Sequence, residues 1–171
     1  NAYYYSIYSY YYGYYPSISY NTFTSRSSNA GTYWYGIYMY VYNSADSIKG
    51  NKFISTNPAI YNPCGIYLGY YLNYNNYGTS GDMIIANNEI ILNMSSGQYG
   101  MYVYYPYSSK VKILHNSIYL YGTGAANGMY LFNSSSSYKI TVQRNNLVAN
   151  AGTAAYPIYL GSYYTSSYVI L

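Results

Sequence analysis

Asp46, Asp82 and Glu89 are the only carboxylates with which this 171-residue chain could build an acidic site. Glycoside hydrolysis usually requires two carboxylates on opposite sides of the scissile bond, and calcium usually requires more than one among its oxygen ligands. In the repeat described below, Asp46 is expected at an inward-facing strand start, Asp82 at the end of an inserted loop, and Glu89 after a turn. No pair results, so the sequence predicts no catalytic residue, no metal site and no cofactor.

Four basic residues form the other set that could do chemistry. His115 and Arg144 each precede an Asn of the repeat, so they should stack on adjacent coils, and Lys110 and Lys112 share the strand that leads to His115. A lyase could use such a base and cation, but solvated surface side chains are the favoured interpretation. The net charge of +4 is spread along the chain, whereas a nucleic-acid site shows a dense basic stripe. Nucleic acid is therefore not an expected partner.

An internal repeat supplies the elements that would position any site. A β-branched residue, two variable residues, Asn, one variable residue and a large apolar residue recur five times. The five Asn are separated by 30, 37, 28 and 29 residues. A second motif of the Gly-Ile-Tyr-Leu type interleaves with the first and begins at Gly36, Gly65, Gly100, Gly128 and Pro157. Fixed motifs with variable gaps predict a coil whose strands are constant and whose turns vary.

Composition and alternation both favour strands. The chain contains 35 Tyr, is 51% hydrophobic and only 6% charged, and Tyr, Ile and Val are strand formers. In the second motif the apolar residues and Tyr point to opposite faces, as alternation along a strand requires. The longest Asn spacing marks an insertion between Tyr70 and Gly81, which is expected to bulge from the coil. No run of 18 apolar residues occurs, so no membrane-spanning helix is predicted.

These two motifs resemble the parallel β-helix repeat of the pectate-lyase-like superfamily. The resemblance covers about Ser6 to Leu171 and implies an all-β, right-handed parallel β-helix (solenoid) of about five to six coils without capping elements. Residues 1–171 are expected to form a single β-helix segment. The superfamily includes lyases, hydrolases, phage tailspikes and bacterial surface proteins, so the fold does not fix the function. The Asp pairs of polygalacturonases and the calcium-binding acidic cluster of pectate lyases are missing here.

Stacking of coils should align equivalent residues in columns about 4.8 Å apart along the axis. In the resembled family the Asn of the first motif forms a hydrogen-bonded ladder at a turn, where we expect Asn to adopt the left-handed conformation. The expected ladder is Asn21, Asn51, Asn88, Asn116 and Asn145. The expected interior columns are Ile18, Ile48, Ile85, Ile113 and Val142; Phe23, Phe53, Ile90, Ile118 and Leu147; and Ile37, Ile66, Met101, Met129 and Ile158.

A column of tyrosines should face outward from the second motif: Tyr38, Tyr67, Tyr102, Tyr130 and Tyr159, flanked by Tyr40, Tyr104 and Phe132. Two interpretations remain open. The column is either a solvated face stabilised by contacts between coils, or a flat aromatic platform for sugar rings or a partner protein. The lone Cys64 is interpreted as a small apolar core residue.

We expect a non-enzymatic structural or adhesive segment of an extracellular or cell-surface repeat protein, binding glycans or a partner surface through the tyrosines. One alternative is a carbohydrate-active β-helix enzyme whose catalytic coils lie outside this segment, and another is a segment of a tailspike-like trimer. Val169 opens a further strand and no polar cap follows, so further coils or another subunit are expected at both ends.

Overall fold

A computed structural model describes residues 2–15, 17–25, 30–42, 44–70, 72, 82–106, 110–133, 140–162 and 169–170. Within these residues the regular structure is all strand. The strands are β1 (Tyr3–Ser9), β2 (Tyr14–Tyr15), β3 (Ile18–Ser19), β4 (Thr22–Thr24), β5 (Thr32–Met39), β6 (Ser44–Ala45), β7 (Ser47–Lys49), β8 (Lys52–Ser55), β9 (Ile60–Leu68), β10 (Met83–Ala86), β11 (Glu89–Asn93), β12 (Gln98–Tyr104), β13 (Val111–Leu114), β14 (Ser117–Gly122), β15 (Ala126–Asn133), β16 (Ile140–Gln143), β17 (Asn146–Ala151), β18 (Ala155–Ser162) and β19 (Val169–Ile170).

The strands form three long parallel sheets that share one axis. The first sheet has the order β1-β5-β9-β12-β15-β18, the second β3-β7-β10-β13-β16-β19, and the third β4-β8-β11-β14-β17, while β2 and β6 form a short fourth sheet. Each strand pairs with the strand one coil away, as in Ile85 opposite Ile113. The predicted parallel β-solenoid is confirmed, with about four turns rather than five to six. Of the described strands, the last coil holds only β18 and β19.

The core lies between the three sheets and contains the predicted interior columns. Phe53, Ile85 and Ile66 are completely buried, and their coil-to-coil neighbours align in register. Burial loosens towards both ends, where Phe23 and Leu147 are only partly covered. Full burial of one such side chain contributes roughly 1.5–3 kcal/mol, and each depends on the neighbouring coils to exclude water.

The predicted asparagine ladder is present and continuous. The Oδ1 of Asn88 accepts hydrogen bonds from the backbone N and the Nδ2 of Asn51, at 3.0 and 3.1 Å. Asn88 in turn donates from both nitrogens to the Oδ1 of Asn116, at 3.0 and 2.9 Å. The same pattern joins Asn21 to Asn51 and Asn116 to Asn145. The side chains of the ladder also bond to the backbone of the preceding coil, as when the Asn88 Nδ2 donates to the Ile48 carbonyl at 2.9 Å.

The left-handed residue at this turn is not the ladder Asn, which corrects the sequence prediction. The residue that precedes each ladder Asn has the positive φ: Tyr20, Gly50, Asn87, His115 and Arg144, at φ between 54° and 64°. The preceding residue turns the chain, while the Asn side chain lies inside the turn and bonds to its neighbours. Most residue types pay a small conformational cost at such a φ, so the turn tolerates His and Arg there while the next position is always Asn.

The insertion expected between Tyr70 and Gly81 lies largely outside the described residues. On either side of it the register is kept, because β9 pairs with β12 and β10 pairs with β7. Leu72 is buried and forms an isolated parallel bridge with Pro106.

Two buried hydroxyl oxygens, those of Ser25 and Ser55, have no hydrogen-bond partner among the described residues, and only Ser55 is a buried residue as a whole. The Oγ of Ser55 is fully buried and has no hydrogen-bond partner in the described structure. An unpartnered buried hydroxyl costs about 1 kcal/mol or more, so we expect Ser55→Ala to raise the free energy of unfolding by about 1 kcal/mol in urea titrations. Ser95 is the matched control, because its Oγ donates to the Ile60 carbonyl at 2.7 Å. Ser95→Ala should lower stability, and a loss for both variants would contradict the prediction.

Candidate functional site

The tyrosine face lies on the outer side of the first sheet. In β5, Ile37 and Met39 are completely buried, and Tyr38 between them points outward. The alternation that buries the apolar residues therefore exposes one tyrosine in each coil. The parallel register then places these tyrosines opposite one another, from Tyr8 to Tyr159.

Six rings form one continuous stack along the axis, which we call the tyrosine stack: Tyr8, Tyr38, Tyr67, Tyr102, Tyr130 and Tyr159. Successive ring centroids lie 5.5, 4.8, 4.5, 4.9 and 5.2 Å apart. The interplanar angles are small, between 3° and 12°. These are offset-stacked contacts, each stabilising by about 0.5–1.5 kcal/mol beyond simple burial. Stacking between coils is thus part of what holds the first sheet together.

This arrangement differs from a flat aromatic platform. Because the rings are nearly parallel and stacked on one another, each ring covers the face of its neighbour. A molecule lying along the inner part of the stack meets ring edges and phenol hydroxyls rather than open ring faces. The two outermost rings are the most exposed, with Tyr8 at 52% and Tyr159 at 45%.

A second row of rings flanks the stack. The predicted pair Tyr104 and Phe132 is stacked at 4.5 Å, and Phe132 is buried rather than exposed because it lies under its neighbours. The ring of Tyr40 is not stacked directly on that of Tyr104, because the equivalent position on the strand between them is Gly69, which has no ring. Tyr70 bridges the interval, with its ring 5.4 Å from Tyr40 and 4.7 Å from Tyr104. Sequence alignment of the motifs missed Tyr70 because it lies beyond the regular strand.

Burial keeps the central phenols protonated. Loss of hydration raises the pKa of Tyr38, Tyr67 and Tyr102 above the ordinary tyrosine value, and repulsion from neighbouring phenolates raises it further. A phenol of ordinary pKa, about 10, is already neutral near pH 7, so these hydroxyls stay protonated well above neutral pH and can both donate and accept hydrogen bonds.

Cys64 lies in the same sheet beneath the aromatic rings. Its side chain is completely buried, and burial raises the pKa of the thiol well above its usual range. The Sγ donates to the Ile66 carbonyl at 3.5 Å. A buried, protonated thiol is unreactive, which agrees with the structural role expected for Cys64.

The acidic residues are separated from one another. Glu89 pairs with Lys52 at 2.9 Å across adjacent coils, and Asp82 pairs with Lys112 at 2.7 Å. The expectation that Asp46 faces inward is wrong: the chain bends at Asp46, Ala45 takes the buried position, and the carboxylate accepts a hydrogen bond from the Tyr14 hydroxyl at 3.2 Å. Within the described ranges, no three His, Cys, Asp or Glu side chains are grouped to hold a metal.

His115 and Arg144 lie on adjacent coils, as predicted. The His115 backbone N donates to the Gln143 carbonyl at 3.2 Å, and both side chains are exposed. Lys112, on the strand that leads to His115, is engaged by Asp82. The structure thus places these basic residues on the surface of a turn and not in a cleft.

The fold and the face together define a parallel β-solenoid with a tyrosine-rich surface. No protein-family model, curated protein or solved structure matches the chain. The part of the chain that the structure describes has no helix long and apolar enough to cross a membrane.

Proposed function

We propose that this chain is a non-enzymatic, adhesive structural segment of an extracellular repeat protein, and that extended glycan chains bind along its tyrosine stack. The unbroken register of six tyrosines, one on each strand of the first sheet, carries the proposal. Phenol hydroxyls recur at nearly constant spacing, so an extended polymer parallel to the axis can repeat the same weak contact in each coil. Contacts that are linked in this way give avidity that no single contact has.

The charge distribution supports a binding role rather than catalysis. The carboxylates of Asp82 and Glu89 are engaged in separate, partly exposed ion pairs, and Asp46 bonds to a tyrosine. A glycosidase or lyase site within these coils would need groups that converge on one bond. The uncharged stack instead suits a neutral polymer, which brings no charge that would need a buried partner.

Retention on an immobilised neutral polysaccharide tests the proposal. The chain with Tyr38, Tyr67 and Tyr102 all changed to Phe keeps the rings but loses three hydroxyls. Because each hydrogen bond to a ligand contributes about 1 kcal/mol, we expect apparent affinity to fall at least about tenfold. The measurement is the chain concentration that gives half-maximal retention on cellulose, chitin and xylan.

Tyr119 provides the matched control for this measurement. It lies on the third sheet, outside the tyrosine stack, and is 44% exposed. Tyr119→Phe should leave retention unchanged. Wild-type chain that binds none of the polymers, or a triple variant that binds as well as wild type, would refute the proposed function.

A further inference from the structure

A third column of the first sheet contains a gap the width of one ring. Equivalent positions in successive coils align Tyr5 with Tyr35, and further along the axis Tyr99 with Asn127 and Asn127 with Tyr156. Asn127 therefore replaces a ring between two tyrosines. Neighbouring strands are about 4.8 Å apart, so Tyr99 and Tyr156 belong to strands about 9.6 Å apart. The Tyr99 ring is tilted by 59° to the Tyr130 ring, and the Tyr156 ring by 76° to the Tyr159 ring, so the space beside Asn127 is bounded by inclined rings.

The gap is open and has a defined lining. A cleft of about 260 Å³ is bounded by Tyr99, Asn127, Tyr130, Tyr156 and Tyr159. Tyr130 and Tyr159 form its back wall, and their rings are stacked on each other at 5.2 Å. Tyr156 lies at 76° to Tyr159 and is 51% exposed. Part of the Tyr156 side chain is therefore accessible to a ligand.

The corresponding gap at Cys64 is closed. Cys64 also replaces a ring in this column, opposite Tyr35. There the Tyr35 ring contacts the Tyr67 ring edge-on at 5.8 Å, and Cys64 is completely buried. A small residue in the column is thus not sufficient for a cleft. Tyr99 makes the equivalent contacts beside Asn127, with Tyr102 and Tyr130 at 5.0 and 5.1 Å, so the lean of the preceding ring does not separate the two gaps. The gaps differ in burial: Cys64 is completely buried, whereas Asn127 is only partly buried and lines the open cleft.

Asn127 supplies a polar group at the floor of the cleft. Its Nδ2 donates to the Gln98 carbonyl at 3.3 Å, which fixes the amide, and its Oδ1 accepts no hydrogen bond from any described residue. The other four lining residues are tyrosines, and none of the lining residues is charged. The lining therefore favours a neutral ligand with apolar faces and hydrogen-bonding groups around its rim.

We infer that this cleft, the Asn127 slot, is a binding subsite for one pyranose ring of a neutral glycan. A pyranose has C–H faces that pack on aromatic rings and a rim of hydroxyls that can donate to the Asn127 Oδ1. An aromatic side chain would fill the same width but has no hydroxyl rim to satisfy the amide. The volume accommodates one monosaccharide, with the rest of the polymer continuing along the tyrosine stack. This inference rests on the proposed function and assigns it a specific subsite.

Ligand-observed NMR with the full chain tests the slot directly. The probes are methyl β-glucoside, methyl N-acetyl-β-glucosaminide and methyl β-xyloside, with methyl glucuronoside as the charged probe and p-cresol as the aromatic probe. A ligand of this size is expected to bind with a dissociation constant on the order of 1 mM. We expect at least one neutral pyranoside to bind, and methyl glucuronoside and p-cresol to bind at least about fivefold more weakly.

Two substitutions separate the slot from the rest of the face. Asn127→Tyr completes the column and fills the slot, so pyranoside binding should disappear while the melting temperature is kept. Asn127→Ala leaves the slot open but removes the amide, and should weaken binding about fivefold. Tyr119→Ala on the third sheet is the control and should change nothing.

The outcomes distinguish this inference from the proposed function. Polysaccharide retention that survives in Asn127→Tyr, with pyranoside binding also unchanged, would overturn the slot and leave the adhesive function standing. Preferential binding of p-cresol would overturn the assignment to a sugar. If the wild-type chain binds no pyranoside, the Asn127 slot is not a sugar subsite, whatever the polymers do. Loss of polymer retention in the Tyr38, Tyr67 and Tyr102 variant supports the proposed function and does not test the slot.

Discussion

Asn88→Ala is expected to lower the free energy of unfolding by about 4 kcal/mol. Asn88 is 1% exposed, and its Oδ1 is the acceptor for both nitrogens of Asn51. Its Nδ2 bonds to the Ile48 carbonyl and the Asn116 Oδ1. Alanine leaves several of these buried groups without a partner, each at a cost of about 1–3 kcal/mol. Urea titration followed by circular dichroism measures the loss.

Asn21→Ala is the matched control at the exposed end of the same ladder. Its Nδ2 donates to the Ser19 carbonyl and the Asn51 Oδ1, and Asn51 keeps the bond from the Asn21 backbone N. Water can replace what is lost at an exposed position, so a decrease of about 1 kcal/mol or less is expected. Equal losses for Asn88→Ala and Asn21→Ala would show that the ladder does not act through burial.

Gly100→Ala is expected to lower stability by about 3 kcal/mol although it adds only a methyl group. A Cβ at Gly100 would lie 2.7 Å from the Ile118 Cγ2 and 2.8 Å from the Gly128 carbonyl oxygen. The oxygen belongs to the backbone of the next coil, so it cannot move without shifting the sheet. Overpacking of this kind costs about 1–3 kcal/mol. The midpoint of thermal unfolding should fall accordingly.

Gly65→Ala tests the steric explanation because the added methyl group would overlap less with its neighbours than at Gly100. It occupies the equivalent place one coil earlier, but its Cβ would lie 3.0 Å from both the Gly100 oxygen and the Ile90 Cγ2. Neither glycine has a positive φ, so backbone conformation does not separate them. We expect about 1 kcal/mol for Gly65→Ala. A larger loss at Gly65 than at Gly100 would disprove close packing as the cause.

The spacing of two short motifs is enough to determine the architecture. Alternation fixed which residues of each strand face the core, because successive side chains point to opposite faces. The same alternation, repeated in each motif, fixed the register between strands, because a one-residue slip would place every apolar side chain on the wrong face. Strand alternation and register together predict the buried columns that contain Ile85 and Phe53. They also predict the ladder that contains Asn88 and the outward column that contains Tyr102.

Tertiary structure decided what alternation alone does not encode. The inward position expected for Asp46 was wrong because a bend moves Ala45 into the core instead. Ring faces in the stack are covered because the rings on successive strands lie nearly parallel and close together, as Tyr67 and Tyr102 do at 4.5 Å and 3°. The slot at Asn127 is open whereas the equivalent gap at Cys64 is closed, a difference that the alignment of the columns does not predict. Sequence alternation specifies the side of the sheet on which a side chain lies, whereas the direction of a ring on that side depends on contacts between coils that form only on folding.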